Sequence, residues 1–256
     1  MITGMKKVFL LFALLVVVAC SRAPRTQEVV FRASLVETGC MTRATDHNEI
    51  LNLIESTYVT FPIDLYTNEA TNTYTRMEFG RTYTVPIGTF KVIGYTSLTP
   101  IGQPTSKYTL AKSPMFYTES YVTIEYGTQE YLLPVEVRSA AIVIDRSEVY
   151  QIAFKGQTGS YITMTDSDFT FSDNYAVFFV NGYFQGQDKV CFQVTPKTGA
   201  NKVTEFFLCA DEIATGSATY AKLEGGKYYV LHPNPVTELS GVSFSLNIPA
   251  WECGLD

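Results

Sequence analysis

Apolar and polar residues alternate along most of this chain, in short segments that turn residues separate. The first segment places Val29, Phe31, Ala33 and Leu35 on one face, and this period of two predicts a β-strand with one apolar side. Residues 242–248 show the same alternation most clearly. About a dozen such segments, with no helical run long enough for repeated βαβ units, predict an all-β fold of one or two sandwiches.

Three segments depart from simple alternation, and each carries its own expectation. Residues 140–144 are continuously apolar, which predicts a strand buried on both faces. Residues 49–55 place apolar side chains at helical spacing behind a capping Asp46, so a short helix is expected, with a strand as the open alternative. Pro62, within residues 59–66, predicts a strand at a sheet edge.

Turn and charge signals suggest how the strands are grouped. Gly127 lies between strand candidates at residues 121–126 and 131–137, which predicts a hairpin. A boundary between two halves is expected near residues 134–147, where a proline and charged residues surround the buried run.

The first 20 residues predict an export signal. Two lysines precede an apolar run from Val8 to Ala19, and Cys20 follows. The run is shorter than the roughly 20 residues that span a bilayer, so a secretory signal is expected rather than an anchor helix. Its Val-Val-Ala-Cys ending resembles a bacterial lipobox, which implies lipid on Cys20; an ordinary signal with a chance cysteine is the alternative. We assign residues 1–19 to the signal peptide and the polar residues 20–27 to a tether.

Composition and charge narrow the functional classes. The formal net charge is −6, and loss of the two signal lysines makes the mature chain more acidic. No basic cluster survives, so nucleic acid is not an expected partner. Seventeen tyrosines and seventeen phenylalanines, with one tryptophan, further favour strands. No second apolar stretch approaches transmembrane length.

Four cysteines follow Cys20, and their spacing indicates no metal site. Cys191 and Cys209 lie in neighbouring strand candidates, so a cross-strand disulfide is one expectation and buried thiols are the other. The pairing of Cys40 and Cys253 is left open.

Catalytic groups are sparse, and we expect no enzyme activity. The chain has two histidines, His47 and His232, and no common nucleophile, zinc, P-loop or dithiol motif. Its best acidic cluster is Asp166, Asp168 and Asp173, which lacks the glycine and final glutamate of an EF-hand calcium loop. We expect a solvated turn there, and we predict no metal and no cofactor.

The many tyrosines raise a sugar-binding face as a second functional interpretation. Their rings can stack on the apolar faces of sugars, and their hydroxyls can form hydrogen bonds. No compact aromatic cluster stands out along the sequence, so most tyrosines are expected in a core or alternating outward on strands.

One ordered set of motifs is more specific. Cys20 is followed by a polar tether, an apolar strand at residues 29–36 and then Arg43. The all-β chain that follows contains PIGTFKVIGY at residues 86–95, PVEVRSAAIV at 134–143, LEGGKYYV at 223–230 and IPAW at 248–251. This order resembles the fimbrillin-like lipoproteins of Bacteroidetes, which are the subunits of the type V pilus.

The resemblance implies two consecutive β-sandwich domains of transthyretin-like topology, which we assign to residues 28–138 and 139–256. It also implies an outer-membrane lipoprotein, anchored through lipid on Cys20 and present at the cell surface or in a fimbrium. An arginine-specific protease would cut at Arg43 and release the first strand, and a strand of another subunit would fill the groove. The plug contacts would be Val29, Phe31, Ala33 and Leu35.

Other arginines and the end of the chain bear on this interpretation. Arg22 and Arg25 precede the first strand, so a cut there would only free the lipid, and Arg32 should be shielded within the strand. A plain surface role is the alternative for Arg43. Residues 252–256 lack the alternating apolar character of a donor strand, so an accessory, anchor or tip subunit, or a lipoprotein that never polymerises, is expected.

The leading hypothesis is therefore a non-catalytic structural or adhesive subunit that partners other pilus subunits by strand addition. An outer-membrane lipoprotein that binds glycan through exposed aromatics is the alternative. A hydrolase that joins Asp166 or Asp168 to His232 is the third hypothesis. A host or bacterial surface ligand is left open.

Overall fold

The computed structural model describes residues 25–35, 47–182, 188–197, 204–209, 220–233 and 242–245. Its regular structure is almost entirely β-strand, and the strands stack in layers. The all-β sandwich fold that the alternation predicted is confirmed. Across these described ranges, no helix is both long enough and apolar enough to cross a membrane.

The elements are numbered in chain order within the described residues. Helix α1 spans His47–Glu55, and a 3₁₀ turn spans Asp166–Asp168. The earlier strands are β1 (Thr26–Leu35), β2 (Pro62–Asn68), β3 (Thr73–Glu78), β4 (Thr82–Pro86), β5 (Gly88–Tyr95), β6 (Pro100–Gly102), β7 (Tyr108–Ala111), β8 (Phe116–Ile124) and β9 (Glu130–Val137). The later strands are β10 (Ser139–Asp145), β11 (Val149–Lys155), β12 (Tyr161–Thr163), β13 (Thr170–Phe171), β14 (Tyr175–Gly182), β15 (Lys189–Pro196), β16 (Thr204–Cys209), β17 (Tyr220–Lys222), β18 (Tyr228–Pro233) and β19 (Val242–Ser245).

The first sheet runs in the order β3–β2–β5–β8–β9–β1–β4 and folds over on itself. Ile63 of β2 and Val92 of β5 share one buried cluster with Val29 of β1, Val85 of β4 and Leu133 of β9. Strands from both ends of the sheet therefore face each other across this cluster. One layer consists of β4, β1 and β9, the other consists of β3, β2, β5 and β8, and burial of apolar surface holds them together.

Strand β9 connects the two layers of this first sandwich. Its residues 130–135 pair in parallel with β1, and its last two residues pair with the start of β8. Strands β8 and β9 are thus antiparallel neighbours, as a hairpin requires, but they diverge toward Gly127. They diverge because β9 leaves the layer of β8 and joins that of β1.

The second sandwich packs two further sheets together. One has the order β19–β18–β10–β14–β7–β6, with β13 beside β14, and the other has the order β12–β11–β15–β16–β17. Ile142 and Phe178 from the first of these sheets meet Ile152 and Phe192 from the second in one buried cluster. The ring centroids of Phe178 and Phe192 lie 5.6 Å apart, a favourable distance for two aromatic rings.

The apolar run at residues 140–144 is buried on both faces, as predicted. Alternate side chains of β10 face the core of the second sandwich, and the others face α1. Helix α1 covers that second face with Ile50, Leu53 and Ile54, which are at most 4% exposed. Residues 49–55 therefore form the expected helix and not the alternative strand.

Two strands from the earlier part of the chain belong to the second sandwich. Strand β7 pairs antiparallel with β14, and β6 pairs with β7. Tyr108 and Leu110 of β7 are fully buried in the core of the second sandwich. The chain therefore crosses between the sandwiches before residue 138, and a division into domains 28–138 and 139–256 stays a prediction.

A buried hydrogen-bonded junction joins the two sandwiches. The backbone N–H of Arg138 donates to the carbonyl of Met115 at 2.8 Å, and the N–H of Met115 donates to Oδ1 of Asn181 at 3.2 Å. Ser139 also hydrogen-bonds Asn181, and both side chains are at most 1% exposed. The bond between Ser139 and Asn181 satisfies side-chain oxygens that water does not reach, and the two backbone bonds tie the segments on either side of it together.

The edge position predicted from Pro62 is wrong. Strand β2 pairs with β3 on one side and with β5 on the other. Pro62 is the first residue of β2, a position where a strand tolerates the missing N–H. Strand β1 also begins earlier than expected, because Thr26 and Gln27 of the expected tether already belong to it.

Candidate functional site

Strand β1 holds together one layer of the first sandwich. Its residues 26–30 pair antiparallel with β4, and its residues 30–35 pair in parallel with β9. In the part of the chain that the structure describes, β4 has no other ladder partner, and neither do residues 130–135 of β9. Strand β1 therefore bridges two strands that do not pair with each other.

One face of β1 enters the core, where the alternation predicted it. Val29 and Phe31 are 0% exposed, and Ala33 is half-buried against the same cluster. The ring of Phe31 lies 5.7 Å from that of Tyr131 on β9, measured between centroids. Leu35 pairs through its backbone with Val135, and its side chain lies outside the described part of the structure.

The other face of β1 is exposed to solvent. Nε of Arg32 lies 3.0 Å from Oε1 of Glu130, and the Arg32 side chain is 58% exposed. The Arg32 side chain is therefore not buried. Its backbone is shielded instead, because it pairs with Leu132 of β9.

The two positions predicted for processing lie outside the described residues. These are the lipidation site Cys20 and the cleavage site Arg43, and the expected helix cap Asp46 lies there as well. Arg43 belongs to residues 36–46, which connect β1 in the first sandwich to α1 on the second.

Helix α1 is fastened to the second sandwich by hydrogen bonds to Glu49. Its carboxylate accepts hydrogen bonds from Oγ of Ser172 at 2.6 Å, and from the backbone N–H and the Nδ2 of Asn174 at 3.1 and 3.0 Å. The hydrogen bond from Ser172, followed by those from Asn174, lowers the pKa of Glu49 below its ordinary value. The carboxylate is therefore stabilised in its ionised form by the loop on which the helix rests.

Five tyrosines lie on the outer face of the layer formed by β3, β2, β5 and β8. The strand register places Tyr74 beside Tyr66, Tyr66 beside Lys91, and Lys91 beside Tyr121, in one row across the sheet. Tyr95 and Tyr117 are opposite each other on the same face. We call this surface the tyrosine face and define it by Tyr66, Tyr74, Tyr95, Tyr117 and Tyr121.

Two ion pairs lie among these rings. Arg76 donates two hydrogen bonds to the Asp64 carboxylate, at 2.9 and 3.1 Å. Nζ of Lys91 lies 2.7 Å from Oε1 of Glu119. The hydrogen bond between them raises the pKa of Lys91 and, with a further bond from Tyr117, lowers the pKa of Glu119. The Lys91–Glu119 pair is therefore stabilised in its ionised form.

Sequence reasoning missed the tyrosine face. Its members come from four strands, so they are close in space but distant in the chain. Within each strand they lie on the outward side of the alternation, opposite buried residues such as Leu65 and Val92. That alternation was the available signal, but the face also depends on which strands are neighbours.

The acidic cluster forms a local turn, as expected. Oδ2 of Asp168 accepts hydrogen bonds from the N–H of Thr165 at 2.7 Å and from its Oγ1 at 3.0 Å. Asp166 lines a cavity of about 380 Å³ together with Arg146 and Lys197, whereas Asp168 lines another of about 570 Å³. Within the described ranges, no three His, Cys, Asp or Glu side chains are placed to hold a metal ion.

The cysteines of β15 and β16 are diagonal neighbours. The register pairs Cys191 with Phe207, and Cys209 with Lys189. Diagonal positions in a sheet lie roughly 7–8 Å apart. A disulfide needs Cβ atoms about 3.5–4.5 Å apart, so this register does not favour the cross-strand bond.

Comparisons with known proteins give structural resemblances. No family model and no curated protein matches the sequence. The fold resembles the tip fimbrial protein Mfa3 of Porphyromonas gingivalis with C-terminal truncation, at 10% identity and a TM-score of 0.46, over 90% of this chain and 100% of that chain. It also resembles a candidate cell adhesion protein of Bacteroides ovatus, at 11% identity and a TM-score of 0.44, over 91% and 99% of the two chains.

A further resemblance is to a candidate cell adhesion protein of Bacteroides eggerthii. The identity is 10% and the TM-score 0.43, over 89% of this chain and 96% of that chain. At such identities, and with none of these TM-scores reaching 0.5, function has to be argued from the geometry of this chain itself.

Proposed function

We propose that this chain is a structural and adhesive subunit of the fimbrillin type, which lipid on Cys20 holds in the outer membrane until the chain is cleaved. In this proposal β1 is a temporary plug. An arginine-specific protease hydrolyses the peptide bond after Arg43, which consumes one water and leaves a new amino terminus at Ala44. A strand from another subunit then takes the place of β1.

The observation that carries the proposal is the position of β1 between β4 and β9. Without β1, β4 and residues 130–135 of β9 would both present unpaired backbone groups beside an apolar core. Unpaired strand edges readily accept another strand, and buried unpaired N–H and C=O groups are costly. The layer therefore needs a replacement strand, which another subunit can supply.

The elements on either side of the proposed cut support its location. Strand β1 is packed in the first sandwich, whereas α1 is packed on the second through Ile50, Leu53 and Ile54. A cut within residues 36–46 separates the two. Strand β1 can then leave while α1 stays in place on the second sandwich.

The other arginines near β1 are poorer cleavage sites. Arg32 lies within a paired strand, so its backbone is not available as an extended substrate until β1 detaches. Arg25 precedes β1, and its carbonyl accepts a hydrogen bond from Ile87 at 2.9 Å. A cut at Arg25 would leave the plug in the sheet.

The proposal assigns this chain the acceptor role in strand exchange. Its last described strand, β19, already pairs with β18 in the same chain. The slot between β4 and β9 is the position where an outside strand would enter.

Limited proteolysis of the whole chain with an arginine-specific protease tests this proposal. We expect an early cut after Arg43, and we expect Arg43→Ala to remove that cut while the fold is kept. A labelled peptide with the sequence of residues 26–35 should then exchange with β1 in the cleaved chain. A first cut elsewhere contradicts the proposal, as does a cleaved chain that neither exchanges β1 nor leaves the monomeric state.

A further inference from the structure

The tyrosine face presents large aromatic side chains to solvent on a rigid support. Tyr121 is 63% exposed, Tyr95 is 53% exposed and Tyr74 is 42% exposed. Tyr66 and Tyr74 support each other, with ring centroids 5.3 Å apart. Because strands hold these side chains and a tyrosine has few rotatable bonds, little conformational entropy is lost when a ligand covers them.

The charges of this face add up to no positive surplus, because Glu69, which accepts a hydrogen bond from the Tyr121 hydroxyl at 3.3 Å, adds a carboxylate to two ion pairs. The cation of Arg76 is neutralised by Asp64, and that of Lys91 by Glu119. At the border of the face, Arg138 lies over the ring of Tyr117 and pairs with Glu136 at 3.0 Å. No excess positive charge attracts a polyanion to these residues, so electrostatic complementarity favours a neutral partner.

We propose that the tyrosine face binds a neutral carbohydrate chain. A sugar ring has an apolar face that can stack on a tyrosine ring, and its rim of hydroxyls can donate to carboxylates. Asp64 already accepts from Arg76, and Glu119 from Lys91 and Tyr117, but a carboxylate has further lone pairs with which to accept from a sugar hydroxyl. The Tyr121 hydroxyl donates to Glu69 and can still accept. The surface thus offers both interactions that a polyhydroxylated ring requires.

The geometry of the sheet suits an extended chain rather than a single sugar. Tyr66 and Tyr121 are two strands apart, which is roughly 10 Å across a β-sheet. Tyr74 continues the same row on the next strand. Several rings along one row can therefore each stack on a different sugar of one oligosaccharide.

This site is separate from the strand-exchange slot. The slot lies in the layer of β4, β1 and β9, and the tyrosine face lies on the opposite layer. Carbohydrate binding needs neither the cut after Arg43 nor lipid on Cys20. The inference therefore goes beyond the proposed assembly function, and either of the two can fail without the other.

The test measures binding of the whole, uncleaved chain to an immobilised panel of glucans, mannans, galactans and xylans, with heparin as the acidic comparison. We expect retention on at least one neutral polysaccharide. Tyr121→Ala and Tyr95→Ala should each weaken it roughly threefold to tenfold, the amount that loss of one aromatic contact implies. Tyr121→Phe should keep most of the binding, because the ring remains.

Matched controls come from exposed tyrosines outside the face. Tyr150 is 73% exposed and Tyr126 is 86% exposed, so Tyr150→Ala and Tyr126→Ala remove equally accessible rings and should leave binding unchanged. The inference is overturned if no neutral polysaccharide binds, if only heparin binds, or if the control variants lose as much binding as Tyr121→Ala. Self-association that Tyr121→Ala abolishes, without carbohydrate binding, would assign the face to a second copy of the chain and also overturn it.

Discussion

Phe31 is the largest side chain that β1 is seen to bury in the core. It is 0% exposed and contacts Tyr131 of β9, on the edge that β1 covers. Its neighbour Arg32 points to solvent and pairs with Glu130. Substitutions at these two positions therefore measure separately what core packing and the exposed face of β1 contribute to the free energy of unfolding.

We expect Phe31→Ala to lower the free energy of unfolding by about 3–5 kcal/mol, because it leaves a cavity in a packed core. Urea unfolding of the uncleaved chain measures this change. The matched control is Arg32→Ala, which removes an exposed ion pair worth about 0–1 kcal/mol. Equal losses in the two variants would contradict the placement of Phe31 in the core.

Glu49 gives the attachment of α1 a pH dependence. Because hydrogen bonds from Ser172 and Asn174 lower its pKa from the ordinary 4.5, the folded state binds the Glu49 proton more weakly than the unfolded state does. The resulting stabilisation is complete above the unfolded pKa and is lost as the pH falls through the lower folded pKa. Acid therefore weakens the attachment of α1.

We expect Glu49→Gln to reduce the loss of stability between neutral pH and the acid range below 4.5, since it removes the titrating group. Denaturant unfolding at several pH values measures the difference. Glu55→Gln, which makes the same substitution at an exposed position in the last turn of the helix, is the matched control and should leave α1 attached as in the native chain. A Glu49→Gln chain with the native pH dependence would show that these hydrogen bonds do not stabilise the fold.

Single residues also show which features of the structure could be predicted from the sequence. The burial of Val29 and Phe31 followed from alternation, because every second residue of a strand faces the same side. The tyrosine face could not be predicted in this way. Tyr74 and Tyr121 share a row only because β2 and β5 lie between their strands, and that order is a property of the folded sheet.

At the scale of elements, β1 stabilises strands that lie far from it in the sequence. Its ladder bonds run to β4 on one side and to β9 on the other. The other layer of the same sandwich is paired through β2, β5 and β8 without β1. Loss of β1 should therefore affect one layer and spare the other.

We expect amide hydrogen exchange to accelerate in β4 and in residues 130–135 of β9 when β1 is removed from the cleaved chain. Those amides lose their ladder partner, whereas the amides that pair β2, β5 and β8 keep theirs and serve as the internal control. Mass spectrometry of peptides from the exchanged chain locates the change. Unchanged protection in β4 would mean that β1 does not hold this layer together.

Element types were easier to predict than element partners. The spacing of Ile50, Leu53 and Ile54 predicted α1, because side chains that recur at helical period cover one surface. The edge position inferred from Pro62 failed, because a proline at the start of a strand leaves the rest of that strand free to pair on both sides. The path of β9 from one layer to the other depends on its parallel pairing with β1, which no local pattern reveals.

On the scale of the whole molecule, the two sandwiches are interlocked. Strands β6 and β7 precede β8 and β9 in the chain but belong to the second sandwich. Buried hydrogen bonds among Met115, Ser139 and Asn181 join the two at their junction. Neither sandwich is built from one uninterrupted segment, so we expect them to unfold together.

We expect thermal unfolding to be a single transition that Leu65→Ala and Leu110→Ala both shift. Leu65 is buried in the first core and Leu110 in the second, each 0% exposed, so the variants are a matched pair costing about 2–5 kcal/mol each. Calorimetry shows whether the calorimetric and van't Hoff enthalpies agree, as one transition requires. Two transitions, each moved by only one variant, would show that the sandwiches are independent.

The proposed assembly requires that β1 is a plug that is cut away. Intact mass and amino-terminal sequencing of the protein recovered from cell envelopes test it most directly, with Arg43→Ala as the matched variant. We expect an amino terminus at Ala44 in the native chain, and a lipid-modified Cys20 at the start of the Arg43→Ala chain. A native chain found only with lipid-modified Cys20 would mean that β1 is a permanent part of the fold and that strand exchange does not take place there.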